Sequence, residues 1–298
     1  MKRLSSLLKH HTRRHGIKMA ITAFSGGVLR AGGSKAAVAE VGDLTAGIPA
    51  ALPRALTGTQ FADSVSTMDR HLREDAILNQ LLNGNLPAFL RKLVPIKLSY
   101  KNPQGKVVAA TIFAMPEYLA IGSDSDFLRI PMNLHTAAAV ADRFGFVLPT
   151  KKMVDAIYDQ SNYRFTPQPL PAGPQMTSTE YYRTHNSLID QQSQGRGFQF
   201  GALVSGHKKD VVLTNRLITH PGQIAIYGWH RGIGDPIQPL STVHGAGYAD
   251  YSHGIRFVSR MAMTEGKLRP VSEILLDSAV APVFSDEGPI RVVLERLV

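Results

Sequence analysis

Six of the eleven histidines, His185, His207, His220, His230, His244 and His253, fall within 69 residues of a 298-residue chain. Imidazole changes charge near neutral pH and is a common metal ligand, so this crowding marks a place where protons or a metal could be handled. The densest stretch is His244-Gly245-Ala246-Gly247-Tyr248-Ala249-Asp250-Tyr251-Ser252-His253-Gly254-Ile255-Arg256. It combines a carboxylate, two imidazoles, two phenols, a hydroxyl and a guanidinium with three glycines that let backbone approach a ligand closely. Two chemistries fit. His244, Asp250 and His253 could hold zinc or another divalent metal and leave a water to be activated. Alternatively, His253 works as general acid or base, with Asp250 or another carboxylate fixing its tautomer and Ser252 beside them. On an extended strand Asp250 and Ser252 would share one side and His253 the other, unless a turn intervenes.

A second constellation is Gly206-His207-Lys208-Lys209-Asp210, directly before the apolar run Val211 to Leu213. Charged residues at the mouth of a buried strand converge on a cleft, and a desolvated lysine beside a histidine polarises a carbonyl or acts as a base. His207 and Lys209 therefore join the catalytic candidates. His185, in Thr184-His185-Asn186, offers one more donor, and Trp229, the single tryptophan, offers with Tyr248 a stacking wall for substrate. Arg256 completes the substrate-binding candidates. Ser123-Asp124-Ser125-Asp126 lacks the full calcium-loop pattern and reads as an Asx-type turn.

Two local resemblances accompany these residues. Ser252-His253-Gly254-Ile255-Arg256 resembles the L,D-transpeptidase motif, in which Ser-His-Gly is followed by a nucleophilic cysteine, one residue and an arginine. Here the cysteine is missing and Arg256 comes one position early, so the resemblance implies only a role for His253 and Arg256 near a bound polymer. Thr12-Arg13-Arg14-His15-Gly16-Ile17-Lys18 resembles the twin-arginine export signal, with Gly16 where phenylalanine is usual. That likeness implies an apolar segment from Met19 to Leu29, cleavage after Ala39 in Ala37-Val38-Ala39, and a periplasmic or secreted destination.

Composition narrows the remaining classes. The chain has no cysteine, which excludes disulfides, thiolate metal sites and cysteine nucleophiles. Of 33 basic residues, 8 lie before position 40 where there is no acid, leaving 25 against 23 acidic residues in the body. This near-neutral body argues against nucleic acid as partner. No segment reads as a membrane-spanning helix. Dinucleotide, Walker and nucleophile-elbow motifs are missing, so no organic cofactor is expected.

The elements that must position these groups are read from periodicity. Phe61, Val65, Met68, Leu72, Ile77, Leu78, Leu81 and Leu82 predict one amphipathic helix closed by Asn83-Gly84. A hairpin is predicted from Ile96 to Met115 around Asn102-Pro103-Gln104-Gly105, with helices from Leu134 to Phe144, after Thr150, and from Glu180 to Gln192. Strands are predicted at Asp210 to Leu213, Gln223 to Trp229, Ile255 to Val258 and Arg260 to Thr264. The fold class is α+β: a helical N-terminal half with a β-hairpin, then a strand-rich half forming a mostly antiparallel sheet. The expected divisions are 1–39, an export signal; 40–165, helix-rich; 166–174, a Pro-rich linker or loop; and 175–298, strand-rich and carrying the site, as one domain with 40–165 or apart from it. The expected function is an exported hydrolase of a cell-envelope or extracellular polymer. The alternative is a non-catalytic exported glycan- or peptide-binding protein.

Overall fold

The computed structural model describes residues 44–194 and 197–292. The export-signal stretch and its cleavage position lie outside the described residues. Thr57 opens helix α1 (Gly58–Ser64) through a capping box with Gln60, and Asp69 opens α2 (Arg70–Leu82) by accepting from the amides of His71 and Leu72. The single helix expected here is therefore two. Asp69 starts a new N-terminus in the middle of the periodic run, and of the apolar positions Phe61, Val65, Ile77 and Leu81 are buried while Met68 and Leu72 are exposed.

The predicted hairpin forms from β1 (Val94–Lys101) and β2 (Val107–Ala114), in register from Val94 with Ala114 to Lys101 with Val107. Its turn is closed by the Asn102 side chain accepting from the Lys106 amide, with Gly105 at φ 81°. After it come the pair β3 (Ala120–Gly122) and β4 (Phe127–Arg129), α3 (Leu134–Phe144), β5 (Phe146–Val147), α4 (Lys151–Asp159) and β6 (Tyr163–Arg164). Between β3 and β4, Asp126 caps across to Thr59 and Asp124 accepts from the Phe89 amide, so this acidic loop holds the first helices in place.

Beyond the Pro-rich stretch the chain builds α5 (Thr179–Ser193), β7 (Val204–Ser205), β8 (Lys209–Val211), α6 (Arg216–Thr219), β9 (Gln223–Gly232), β10 (Asp235–Gly245) and β11 (His253–Gly254). It closes with β12 (Val258–Ser259), β13 (Met261–Thr264), β14 (Lys267–Pro270), α7 (Val271–Leu276) and α8 (Ala281–Phe284). The fold is α+β, with mostly antiparallel sheets. One sheet runs β14-β13-β2-β12-β5 with β1 on β2, so strands from both halves of the sequence share it. The second, β10-β9-β8-β11, is antiparallel except where β11 lies parallel to β8. A single apolar cluster reaches from Ile48 to Ile290 and includes side chains from both sheets and α2 to α5. No helix of the described residues is long and apolar enough to cross a membrane.

Thr150 shows how tightly the pieces are joined: its hydroxyl caps α4 at the Met153 amide and donates to the Phe284 carbonyl in α8, while the residue is 2% exposed. Replacing it with valine keeps the shape and removes both bonds. Thr150→Val is expected to lower the unfolding free energy by about 1–3 kcal/mol, read from urea titration.

Candidate functional site

The parallel pairing of β11 with β8 sets His253 opposite Lys209 and Gly254 opposite Asp210. Residues paired in this way present their side chains to the same face, so an imidazole from one constellation stands beside an ammonium from the other. Gly254 is required by close packing. A Cβ there would lie 2.6 Å from the Lys208 Cβ and 2.6 Å from the Tyr118 ring.

Ahead of β11 the chain makes a turn instead of a strand. The His253 amide donates to the Asp250 carbonyl, while Asp250 Oδ1 accepts from the Ser252 amide at 2.8 Å and its hydroxyl at 2.6 Å. The other oxygen, Oδ2, accepts from the Tyr248 hydroxyl at 3.1 Å and stands 4.0 Å from His253 Nε2. The turn thus brings Asp250 and His253 to the same side, where strand alternation would have separated them.

His253 is fully buried, and neither ring nitrogen has a hydrogen-bond partner. Burial pulls its pKa down to about 4 against the attraction of Asp250, with Lys209 and His244 adding to the depression. Burial pushes the Asp250 carboxyl up, but His253, Ser252 and Lys209 outweigh that push and hold it below the usual carboxylate range. The site therefore presents a neutral imidazole beside an ionised carboxylate at neutral pH.

Tyr251 organises the far side. Its carbonyl accepts from Lys208 Nζ at 2.5 Å, and its ring lies 5.2 Å from His185 and 6.5 Å from Trp229. Lys208 is 1% exposed, and burial lowers its pKa to about 7. His185 is held far below the ordinary imidazole range, first by burial and then by Lys208. Lys209 Nζ sits 5.0 Å over the Trp229 ring, and Trp229 itself occupies the left-handed region at φ 57°, rare for a large side chain.

The remaining sequence candidates divide clearly. His207 turns away to Glu117, at 2.9 Å, in a buried network that continues from Glu117 to Arg129 and on to Asp190 and Asn186. Arg256 is fully buried, with its guanidinium donating to the Met115 and Val204 carbonyls. Two of its nitrogens thus serve the fold, not a ligand. His220 bonds back to the Arg216 carbonyl, and His230 bonds Asp155 at 3.1 Å while stacking on Tyr158, outside the His253 cluster.

The zinc set does not assemble. His244 stacks on Tyr248 at 4.3 Å and its ring is 6.2 Å from that of His253, while both Asp250 oxygens are already bonded. Among the described residues no group of three histidine or acidic side chains is placed to share a metal ion. Lys208 and Tyr251 belong to the site more fully than their sequence neighbours suggested. The turn that exposes the Tyr251 carbonyl to Lys208 leaves no periodic signal.

Access is restricted. His253, Ser252 and Asp250 are buried, while His244 and Tyr248 are partly exposed and Gly245 and Gly247 exposed. The larger cavities lie elsewhere: one of about 340 Å³ lined by Ala138, Phe146, Leu275 and Ile290, one of about 590 Å³ lined by Phe127, Arg183, Asp190 and Phe200, and one of about 650 Å³ lined by Lys97, Val108 and Met263. The rings of His244, at the end of β10, and Tyr248 lie 6.2 Å and 5.6 Å from that of His253. No protein family, curated protein or solved structure matches the chain.

Keeping His253 neutral links stability to pH. The unfolded imidazole takes up a proton near 6.5 whereas the folded one resists until about 4, so the unfolded state binds more protons within that window. Stability should fall on acidification from 6.5 to 4, by on the order of 3 kcal/mol for this residue. His185 acts in the same direction. Urea midpoints measured across pH should show the slope, and His253→Gln should flatten it.

Proposed function

We propose that this chain is an exported hydrolase acting on a cell-envelope or extracellular polymer, with His253 as its general base. The observation that carries the reading is a fully buried, neutral imidazole whose two nitrogens are both unpartnered, set between a fixed carboxylate and a lysine. Strongly perturbed groups arranged in this way are characteristic of catalytic sites. In the reaction, His253 takes a proton from a water as the water oxygen bonds to the electrophilic carbon. The imidazolium so formed is stabilised by Asp250. Lys209 faces the same space and stabilises the oxyanion that develops on the substrate. The protonated His253 then returns its proton to the leaving group. Ser252 positions Asp250 through its hydroxyl and amide, and this leaves its oxygen committed as a donor to the carboxylate.

The export part of the reading rests on the Thr12 to Lys18 motif, and the choice of polymer rests on that destination. Because His253 is fully buried, the segment from His244 to Tyr248 beside it must move for a substrate to reach it. A second reading, an exported glycan- or peptide-binding protein without turnover, draws support from the unpartnered Trp229 Nε1 close to Lys209.

The test is a screen of the purified chain against ester, amide and glycosidic polymers, followed by variants on the best substrate. His253→Gln should remove at least about 100-fold of kcat with melting preserved. Asp250→Asn should lose kcat while KM changes little. Full activity in the His253 variant would remove this residue from the mechanism, and saturable binding with no product would favour the second reading.

A further inference from the structure

The groups around Tyr251 are donors with almost nothing to donate to. Lys208 offers three N–H bonds and makes one, to the Tyr251 carbonyl. Among the described residues Lys209 Nζ makes no hydrogen bond or ion pair, and it lies over the Trp229 ring. Trp229 Nε1 has no acceptor and neither nitrogen of His185, one a donor and the other an acceptor in the neutral ring, has a partner, although these residues are 5% and 0% exposed. Buried donors left in this way cost free energy unless something supplies acceptors.

The protein's own acceptor nearby is spoken for. Asp250 receives the Ser252 amide and hydroxyl on one oxygen and the Tyr248 hydroxyl on the other. Lys208 and Lys209 both feel the one carboxylate of Asp250, and Lys208 is about half protonated at neutral pH; a bound anion would draw it to full protonation, leaving an excess of one positive charge for that anion to balance. Arg129 and Glu117, the next charges seen by Lys208, offset each other through their own ion pair.

We propose that this donor cluster, built from Lys208, Lys209, His185 and Trp229, is a carboxylate subsite, and that the substrate carries a carboxylate beside the bond His253 acts on. The second clause rests on the hydrolase reading; the subsite itself does not. A monoanion matches the local charge, whereas a phosphate dianion would exceed it. Bidentate or forked acceptance by one carboxylate group would give the indole and ammonium donors the partners they lack. Two polymer chemistries supply such a group: the C-terminus or acidic side chain of a peptide, and the uronic acid of a glycan.

Calorimetric titration of the full chain distinguishes these without requiring turnover. The probes are N-acetylalanine against N-acetylalaninamide, glucuronic acid against glucose, and inorganic phosphate. We expect at least one carboxylate probe to bind about tenfold or more tightly than its neutral counterpart, and the successful pair identifies peptide or glycan as the source. Lys209→Gln, at a partly exposed position, should abolish that preference with melting unchanged. Lys208→Met tests the buried ammonium in the same way. Equal binding of neutral and charged members, tighter binding of phosphate than of every carboxylate, or a preference untouched in Lys209→Gln would overturn the proposal. Failure of every carboxylate to bind, with His253→Gln still inactive, would sink the subsite and leave the hydrolase reading standing. Carboxylate binding with no polymer cleaved would do the reverse.

Discussion

A guanidinium with no access to water must have its hydrogens received by the protein, and Arg256 meets most of that demand, its Nε excepted, by joining parts of the chain that are distant in sequence. It donates to Met115 just past β2 of the larger sheet and to Val204 in β7, lies 4.3 Å over the Tyr118 ring, and stands 3.9 Å from Asp210 in β8. Tyr118 in turn donates to Asp210 at 2.8 Å. Burial raises Asp210 to about 6, with Arg256 and Tyr118 opposing the rise. The larger sheet, β7 and the site-bearing sheet are held to one another through this group, and removing one member would strand buried polarity in the others. The position of β8, and with it Lys208 and Lys209, depends on it.

From that anchor the site follows by geometry. Gly254 allows β11 to lie against Lys208 and Tyr118, the parallel register places His253 beside Lys209, and the Asp250 turn fixes the carboxylate near the imidazole. The result is a region rich in donors and poor in acceptors, within low-dielectric surroundings that keep imidazoles neutral and weaken the hold of a lysine on its proton. Such an arrangement is unfavourable for the empty fold and favourable for a bound anion.

Much of the fold was legible in the sequence because local rules govern it. The hairpin turn, the cap at Thr150 and the helices expected from Leu134 and from Glu180 all rest on nearby side chain to backbone bonds, the last two through caps at Asn133 and Ser178 that the structure adds. The members of the candidate site, His253, Asp250, Lys209, His185 and Trp229, were all singled out by type and spacing. Their meeting was not, since it depends on two short strands pairing in parallel across a long intervening stretch and on a turn where alternation predicts a strand. Burial was equally hidden. His207 and Arg256 look like ligand-binding groups in one dimension, and each is committed to the core. The Asp69 cap shows the opposite error, a continuous periodicity that the chain interrupts.

Strand β10 carries a consequence for assembly. It forms the outer edge of the site-bearing sheet, yet its pattern escaped the sequence reading because Ile237 and Val243 are exposed and the register with β9 shifts at three places along its length. Those same irregularities, with Pro236 and Pro239 removing two amide donors, spoil the edge as a template for another chain. A flat, regular strand in this place would invite intermolecular β-pairing and fibrous aggregation directly beside the histidine cluster. The bulged, proline-bearing strand lets the sheet end without offering a regular row of amides to a second chain.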